Sequence, residues 1–122
     1  MDKAETKVVE QNMEESAKVT FPVVYFAFNR IGIKQSELSK LNGILHTLKE
    51  NPNMKVTVTG WCDTKGSVAV NKRISRQRAE TVKAWLVKNG IEAGRITAIG
   101  NGSDGTQDAT KARRVETKDN HQ

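Results

Sequence analysis

Asp63 and Arg78 are the residues whose types and spacing point most directly to chemistry. The apolar positions after Gly66 predict a helix over about 69–88. With Val70 at zero and about 100° per residue, Ile74, Trp85, Val82, Leu86 and Ala79 fall at about 40°, 60°, 120°, 160° and 180°. That arc is suited to face a sheet. Lys72, Arg73, Arg76, Gln77, Glu80 and Lys83 fill roughly 200–340°, a solvated face. Arg78 lies at about 80°, inside the apolar arc, with Asn71 and Ser75 on its side at about 100° and 140°. An unpaired buried charge costs several kcal/mol, so this guanidinium must be paired or must sit in a cleft. Two settings fit: a structural salt bridge whose stem covers apolar surface, or an anion-binding arginine at a cleft mouth. Asp63, just before the helix, is the nearest carboxylate by topology. An Asp and an Arg held together would suit a zwitterion, the acid taking an ammonium and the guanidinium a carboxylate.

Other signals are weaker. Gly100-Asn101-Gly102-Ser103-Asp104-Gly105 formally matches G-x-G-x-x-G, but a dinucleotide site also needs a following helix, a further strand and a distant acid. Only seventeen residues remain after Gly105, so a turn is expected there. Cys62 beside Asp63 invites a nucleophile reading. His46 lies on the helix face opposite Leu38, Leu41, Ile44 and Leu45, however, and His121 is in the tail, so Cys62 reads as a small residue at a strand end. One cysteine and two histidines make no metal cluster and no internal disulfide, and no cofactor is expected.

The elements that must position Asp63 and Arg78 follow from pattern. Residues 1–19 carry five acids against three lysines, net −2, and read as a leader or linker. Val23 to Phe28 is β-branched and aromatic, a strand with Pro22 near its start. Leu38, Leu41, Ile44, Leu45 and Leu48 give an amphipathic helix from about 35 to 50, ended by Asn51-Pro52-Asn53. Met54, Val56 and Val58 alternate with polar residues, a half-buried strand. Asn89-Gly90 closes the second helix with a left-handed cap. Residues 95–99 form a third strand, Gly100 to Thr110 a turn-rich stretch, and residues 113–116 a fourth strand. The order β-α-β-α-β-β predicts an α+β fold, two main helices packed on one face of a small mixed sheet. The expected domain spans 20–118, with a tail at 119–122.

The chain has 122 residues, 36% hydrophobic and 28% charged, which suits one core and argues against wholesale disorder. No apolar run approaches a membrane span, and Met1-Asp2-Lys3-Ala4-Glu5 does not open like a signal peptide. Composition leaves open a cytosolic protein or the soluble part of an exported one. The net charge of +6 favours anionic partners. Over 72–95, seven cations (Lys72, Arg73, Arg76, Arg78, Lys83, Lys88, Arg95) stand against Glu80 and Glu92, net +5. Such a stripe would also suit a basic nucleic-acid-binding module, but no aromatics interleave it to stack bases.

Several motifs in order resemble one family. Asp63-Thr64-Lys65-Gly66 followed by Asn71-Lys72-Arg73-Ile74-Ser75-Arg76-Gln77-Arg78-Ala79 resembles the TD-x-x-G…N-x-x-L-S-x-x-R-A signature of the OmpA-like C-terminal domains, which are peptidoglycan-binding modules. Phe26-Ala27-Phe28-Asn29 stands where the family has F-D-F-D. Residues 87–96 resemble L-x-x-x-G-I-x-x-x-R-I, Gly100 to Ser103 resembles G-Y-G-E, and Arg113-Arg114-Val115-Glu116 resembles the terminal R-R-V-E. The likeness covers about 22–117. It implies a non-catalytic module that grips meso-diaminopimelate in the peptidoglycan stem peptide and tethers the outer membrane, or an associated protein, to the wall. By the same resemblance Asp63 and Arg78 hold the ligand's free end, with Phe28, Asn29, Asn71 and Ile74 as neighbouring contacts. The implied location is the periplasm, with any membrane contact made through a part outside this chain, and no nucleic acid is expected as partner. Trp61 and Cys62 replace the family's histidine and small residue before the aspartate, and Trp61 is expected to change one cleft wall.

Overall fold

The computed structural model describes residues 19–120. The expected leader, apart from Val19, and the last two residues of the expected tail lie outside these described residues. Strand β1 is only Val24–Tyr25, shorter than the expected Val23–Phe28. One further ladder bond runs from the Phe26 N–H to the Arg113 carbonyl (2.8 Å). Beyond it the chain turns, with the Arg30 N–H returning to the Ala27 carbonyl (3.1 Å). On the other side of β1, the Glu37 carboxylate accepts the Tyr25 N–H at 2.8 Å. A side chain thus occupies an edge that another strand would otherwise pair with.

A 3-10 turn, Gln35–Glu37, leads into α1, Leu38–Glu50. Leu41, Ile44 and Leu48 are fully buried at the expected spacing. Arg95 fastens the far end of α1, its Nε donating to the Met54 carbonyl (2.9 Å) and Nη2 to those of Leu48 and Asn51 (both 2.8 Å). Strand β2, Val56–Cys62, alternates as expected, with Val56, Val58, Gly60 and Cys62 facing inward. Helix α2, Val68–Lys88, is capped by Ser67, whose Oγ accepts from the Val70 N–H (3.2 Å). It ends as Asn89-Gly90 predicted. Gly90 has φ +109°, and the N–H groups of Gly90 and Ile91 return to Val87 (3.0 Å) and Leu86 (3.1 Å), a Schellman closure.

Strand β3 runs Ile96–Ser103, so the first four residues expected as a turn are strand. Gly100 serves close approach, not reversal, and Gly102, at φ +72°, lies where the β2–β3 register shifts. Gly60 pairs with Gly100 across β2 and β3, and α2 lies directly on both. A Cβ on Gly60 would stand 1.8 Å from the Ser75 carbonyl oxygen, and one on Gly100 2.4 Å from the Arg76 backbone nitrogen. Only residues without a side chain let the helix seat there. A four-residue helix α3, Ala109–Ala112, not foreseen from the sequence, precedes β4, Arg114–Asp119. Strand β4 thus ends one residue past the domain boundary placed at 118.

The sheet order is β1-β4-β2-β3, with β2 and β3 parallel and β4 antiparallel to both β1 and β2. The α+β architecture is the one expected, both main helices lying on one face. Val24, Phe26, Leu41, Ile44, Leu48, Val56, Val58, Val82, Leu86 and Val115 form one continuous core. The last strand in the chain therefore lies inside the sheet, between β1 and β2. This places Arg113, at its entrance, beside the end of β2.

Candidate functional site

Helix α2 does not bury quite the arc its apolar residues suggested. The inward residues are Asn71, Ser75, Arg78, Ala79, Val82 and Leu86, centred at about 130° on the same wheel. Val70 and Ile74 fall to the flank and stay half-buried. The first turns of α2 thus present a polar face to the sheet, where β2 and β3 offer glycine. Ser75 Oγ donates to the Lys72 carbonyl (2.9 Å) and accepts the Gly102 N–H (2.8 Å), tying the helix to β3.

Arg78 is the largest fully buried side chain, 1% exposed. It makes no ion pair among the described residues. Its Nε donates to the Arg30 carbonyl (2.9 Å), Nη1 to the Trp61 carbonyl (3.1 Å) and Nη2 to the Ala27 carbonyl (3.1 Å). Nη1 also lies 3.6 Å from Cys62 Sγ, and the guanidinium stands 5.4 Å from the Phe26 ring centroid. Of the two settings the sequence allowed, the salt bridge does not form. The charge is spread instead over three backbone dipoles, which hold the loop after β1 against the end of β2. Four of the five guanidinium N–H groups are engaged by these contacts, leaving one on Nη2. Burial pulls the Arg78 pKa below its ordinary value; Cys62 opposes this, Arg113 adds to it and Asp63 opposes it. Burial likewise pushes the Cys62 thiol up, against the pull of Arg78. His46, the one histidine among the described residues, is exposed beside Glu50 (3.1 Å).

Asp63 follows β2 and is 7% exposed. Its Oδ1 accepts the Lys65 N–H (3.2 Å), and its Oδ2 is paired with Arg113 Nη1 (3.3 Å). Arg113 Nε also holds the Phe26 carbonyl (3.2 Å). This arginine was not singled out from the sequence as a site residue. Its position in the Arg-Arg-Val-Glu motif was the one available signal, and that motif does not say which of its cations turns inward. Arg114 turns to the sheet's other face, against Asp104 (2.7 Å), Glu116 (2.9 Å) and the Trp61 ring (5.0 Å).

All six residues expected at the site line one cavity of about 110 Å³, together with Cys62, Lys65, Gly66 and Val70. Asn29 reaches it from a left-handed backbone conformation, φ 57°, which asparagine tolerates better than most residues. Gly66, at φ +88°, closes the opposite wall, where a Cβ would stand 3.2 Å from Asn71 Oδ1. Phe28 is 57% exposed at the rim, with Lys65 Nζ 5.6 Å and the Arg113 guanidinium 5.9 Å from its ring centroid. Trp61 does not form a cleft wall, contrary to expectation. Strand alternation turns its side chain to the other sheet face, where Nε1 donates to Glu116 (3.3 Å), and only its carbonyl serves the site. The cavity is thus a small cleft lined by one buried carboxylate, one guanidinium and an aromatic rim, with the second guanidinium, Arg113, paired to that carboxylate from outside the lining.

The cationic stripe is also shorter than the sequence suggested. Arg78 and Arg95 are committed to backbone carbonyls, and Arg76 is paired with Glu80 (3.3 Å). Among the described residues no three His, Cys, Asp or Glu side chains come together to hold a metal ion. No helix among them is long and apolar enough to cross a membrane.

Residues 25–120 match the OmpA family. Outer membrane protein A of Shimwellia blattae is 43% identical over 82 residues, 65% of this chain and 34% of that protein. The chain spans between 23% and 36% of the length of four curated relatives that it matches. Among solved structures, the peptidoglycan-associated lipoprotein of Burkholderia pseudomallei superposes with a TM-score of 0.74 at 22% identity, covering 80% of this chain and 88% of that one. The cell wall anchor of the T6SS from Pseudomonas aeruginosa superposes at 0.64 and 22% identity, covering 92% and 93%. At these identities the two structures speak for the fold.

Proposed function

We propose that this chain, which belongs to the OmpA family, is a non-catalytic module that binds peptidoglycan by gripping the free zwitterionic end of meso-diaminopimelate in the stem peptide. In this reading it works in the periplasm, tethering the outer membrane or an associated protein to the wall. The names of a peptidoglycan-associated lipoprotein and a cell wall anchor among its structural neighbours support the polymer. The observation that carries the finer reading is the joint lining of one cavity by Asp63, Arg78, Asn71, Asn29, Phe28 and Ile74.

The grip follows from the charges. Asp63 receives the ligand's ammonium and in doing so loosens its pair with Arg113. The ligand's carboxylate takes the remaining Nη2 N–H of Arg78 and the released Nη1 of Arg113. One internal ion pair is exchanged for three intermolecular ones, Asp63 with the ammonium and Arg78 and Arg113 with the carboxylate, so little net charge is desolvated without a partner. The amides of Asn29 and Asn71 supply neutral hydrogen bonds, and Phe28 and Ile74 cover the methylenes. A lysine-type end brings the ammonium alone. It would leave both guanidiniums without their carboxylate, at a cost of about 2–4 kcal/mol, roughly 30- to 1000-fold in affinity.

The test is co-sedimentation with purified sacculi under competition. Free diaminopimelate should displace the protein and lysine should not, Asp63→Asn should abolish binding, and Lys88→Ala, exposed at the end of α2, should change it by no more than about twofold. Absence of pull-down at low and moderate salt would overturn the binding role. Equal displacement by the two amino acids would overturn the zwitterion grip.

A further inference from the structure

We infer that a second groove, adjoining the cleft across a single backbone segment, receives a carboxylate on the residue next to the gripped one in the same peptide. The inference rests on the peptide-binding reading above and extends it to the ligand's acidity outside the cleft. The groove has a volume of about 550 Å³ and runs over Ile31, Arg73, Arg76, Gln77 and Glu80.

Its continuity with the cleft is a matter of chain neighbours. Ile74 and Arg78 line the cleft, while Arg73 and Gln77, each one residue earlier on α2, line the groove. Asn29 lines the cleft and Ile31 the groove. Between them runs Arg30, whose carbonyl is held by Arg78 Nε at 2.9 Å. Arg78 therefore fixes the partition, and a peptide leaving the cleft over it runs toward the groove.

The groove's charge selects an acid. Arg76 is already matched by Glu80 (3.3 Å). Arg73 is exposed and has no ion-pair partner among the described residues. The surplus is one planar guanidinium, which suits a carboxylate. Ile31, 41% exposed, supplies apolar floor for the peptide's carbon chain. Lys72, next in sequence to Arg73 and about 100° round the helix, lies over β3 instead, its backbone nitrogen and Cδ being the atoms nearest a Cβ built on Gly102.

Two synthetic peptides carrying the same diaminopimelate end test this, one with a free carboxylate on the adjoining residue and one with the corresponding amide. Titration calorimetry on the whole chain should show the acid binding about threefold or more tighter than the amide at moderate salt. Arg73→Gln should erase that ratio, and Lys72→Gln should preserve it. An unchanged ratio in Arg73→Gln would overturn the groove, as would equal loss from both variants, which would mean a diffuse field. If free diaminopimelate itself fails to bind, the parent reading falls and the groove falls with it. If it binds and Arg73→Gln keeps the ratio, the groove alone falls.

Discussion

Replacing Arg78 by alanine separates an anchoring role from a purely ligand-binding one, because the structure gives it a large stability cost before any ligand is present. The guanidinium satisfies the carbonyls of Ala27, Arg30 and Trp61 at 2.9–3.1 Å. Losing a partner leaves each carbonyl short by about 1 kcal/mol, at the low end for buried acceptors because water reaches these in part. Truncation of the fully buried stem over Phe26 adds about 1–2 kcal/mol for the space left behind. The sum, about 4–5 kcal/mol, is a large share of the roughly 5–15 kcal/mol typical of a domain. For a domain of about 100 residues it lowers Tm by about 16–40 °C. Arg78→Lys keeps the charge and reaches one or two of the carbonyls, so about half the loss is expected. Urea unfolding followed by tryptophan fluorescence, with Trp61 two residues before Asp63 as reporter, measures it. An Arg78→Ala midpoint within about 0.5 kcal/mol of the parent, with binding lost, would refute the anchoring argument and return Arg78 to a ligand-only role.

Gly60→Ala should destabilise by about 3 kcal/mol or more, since its Cβ would meet the Ser75 backbone at 1.8 Å and neither strand nor helix can yield cheaply. Gly32→Ala, facing open space, should change the same unfolding midpoint little. Burial tends to raise the Glu37 pKa, but the Tyr25 N–H, Lys40 and Lys34 together bring it below the usual 4.5. Its stabilising contribution is therefore complete above pH 4.5 and lost as pH falls below that value, and Glu37→Gln should flatten the pH dependence of stability in that acid range. Cys62, 3% exposed with its thiol pushed up by burial, should react with maleimide at neutral pH only on the timescale of unfolding. Fast labelling of the native protein would show the cleft to be open behind Asp63.

What could be read from the sequence was local. Periodicity located both helices, the alternation of β2 and the Gly90 cap, because each depends on residues a few positions apart. Arg78 was conspicuous for the same reason, being a cation among apolar neighbours on one helix turn. Its partners were not legible. They are carbonyls, which every residue possesses, and only the packing of the loop after β1 against the end of β2 determines which ones it meets. Gly100 to Ser103 has the composition of a turn, and it is a strand because α2 lies on Gly60 and Gly100, where a side chain would not fit. Arg113 is fifty positions from Asp63. It reaches that carboxylate because β4 inserts between β1 and β2, and its own neighbours in sequence do not distinguish it from Arg114. The alternation of β4, continued back to Arg113 at its entrance, sends the two arginines to opposite faces of the sheet, one onto Asp63 and one onto Trp61. That assignment belongs to the sheet, since a shift of one residue in register would exchange them.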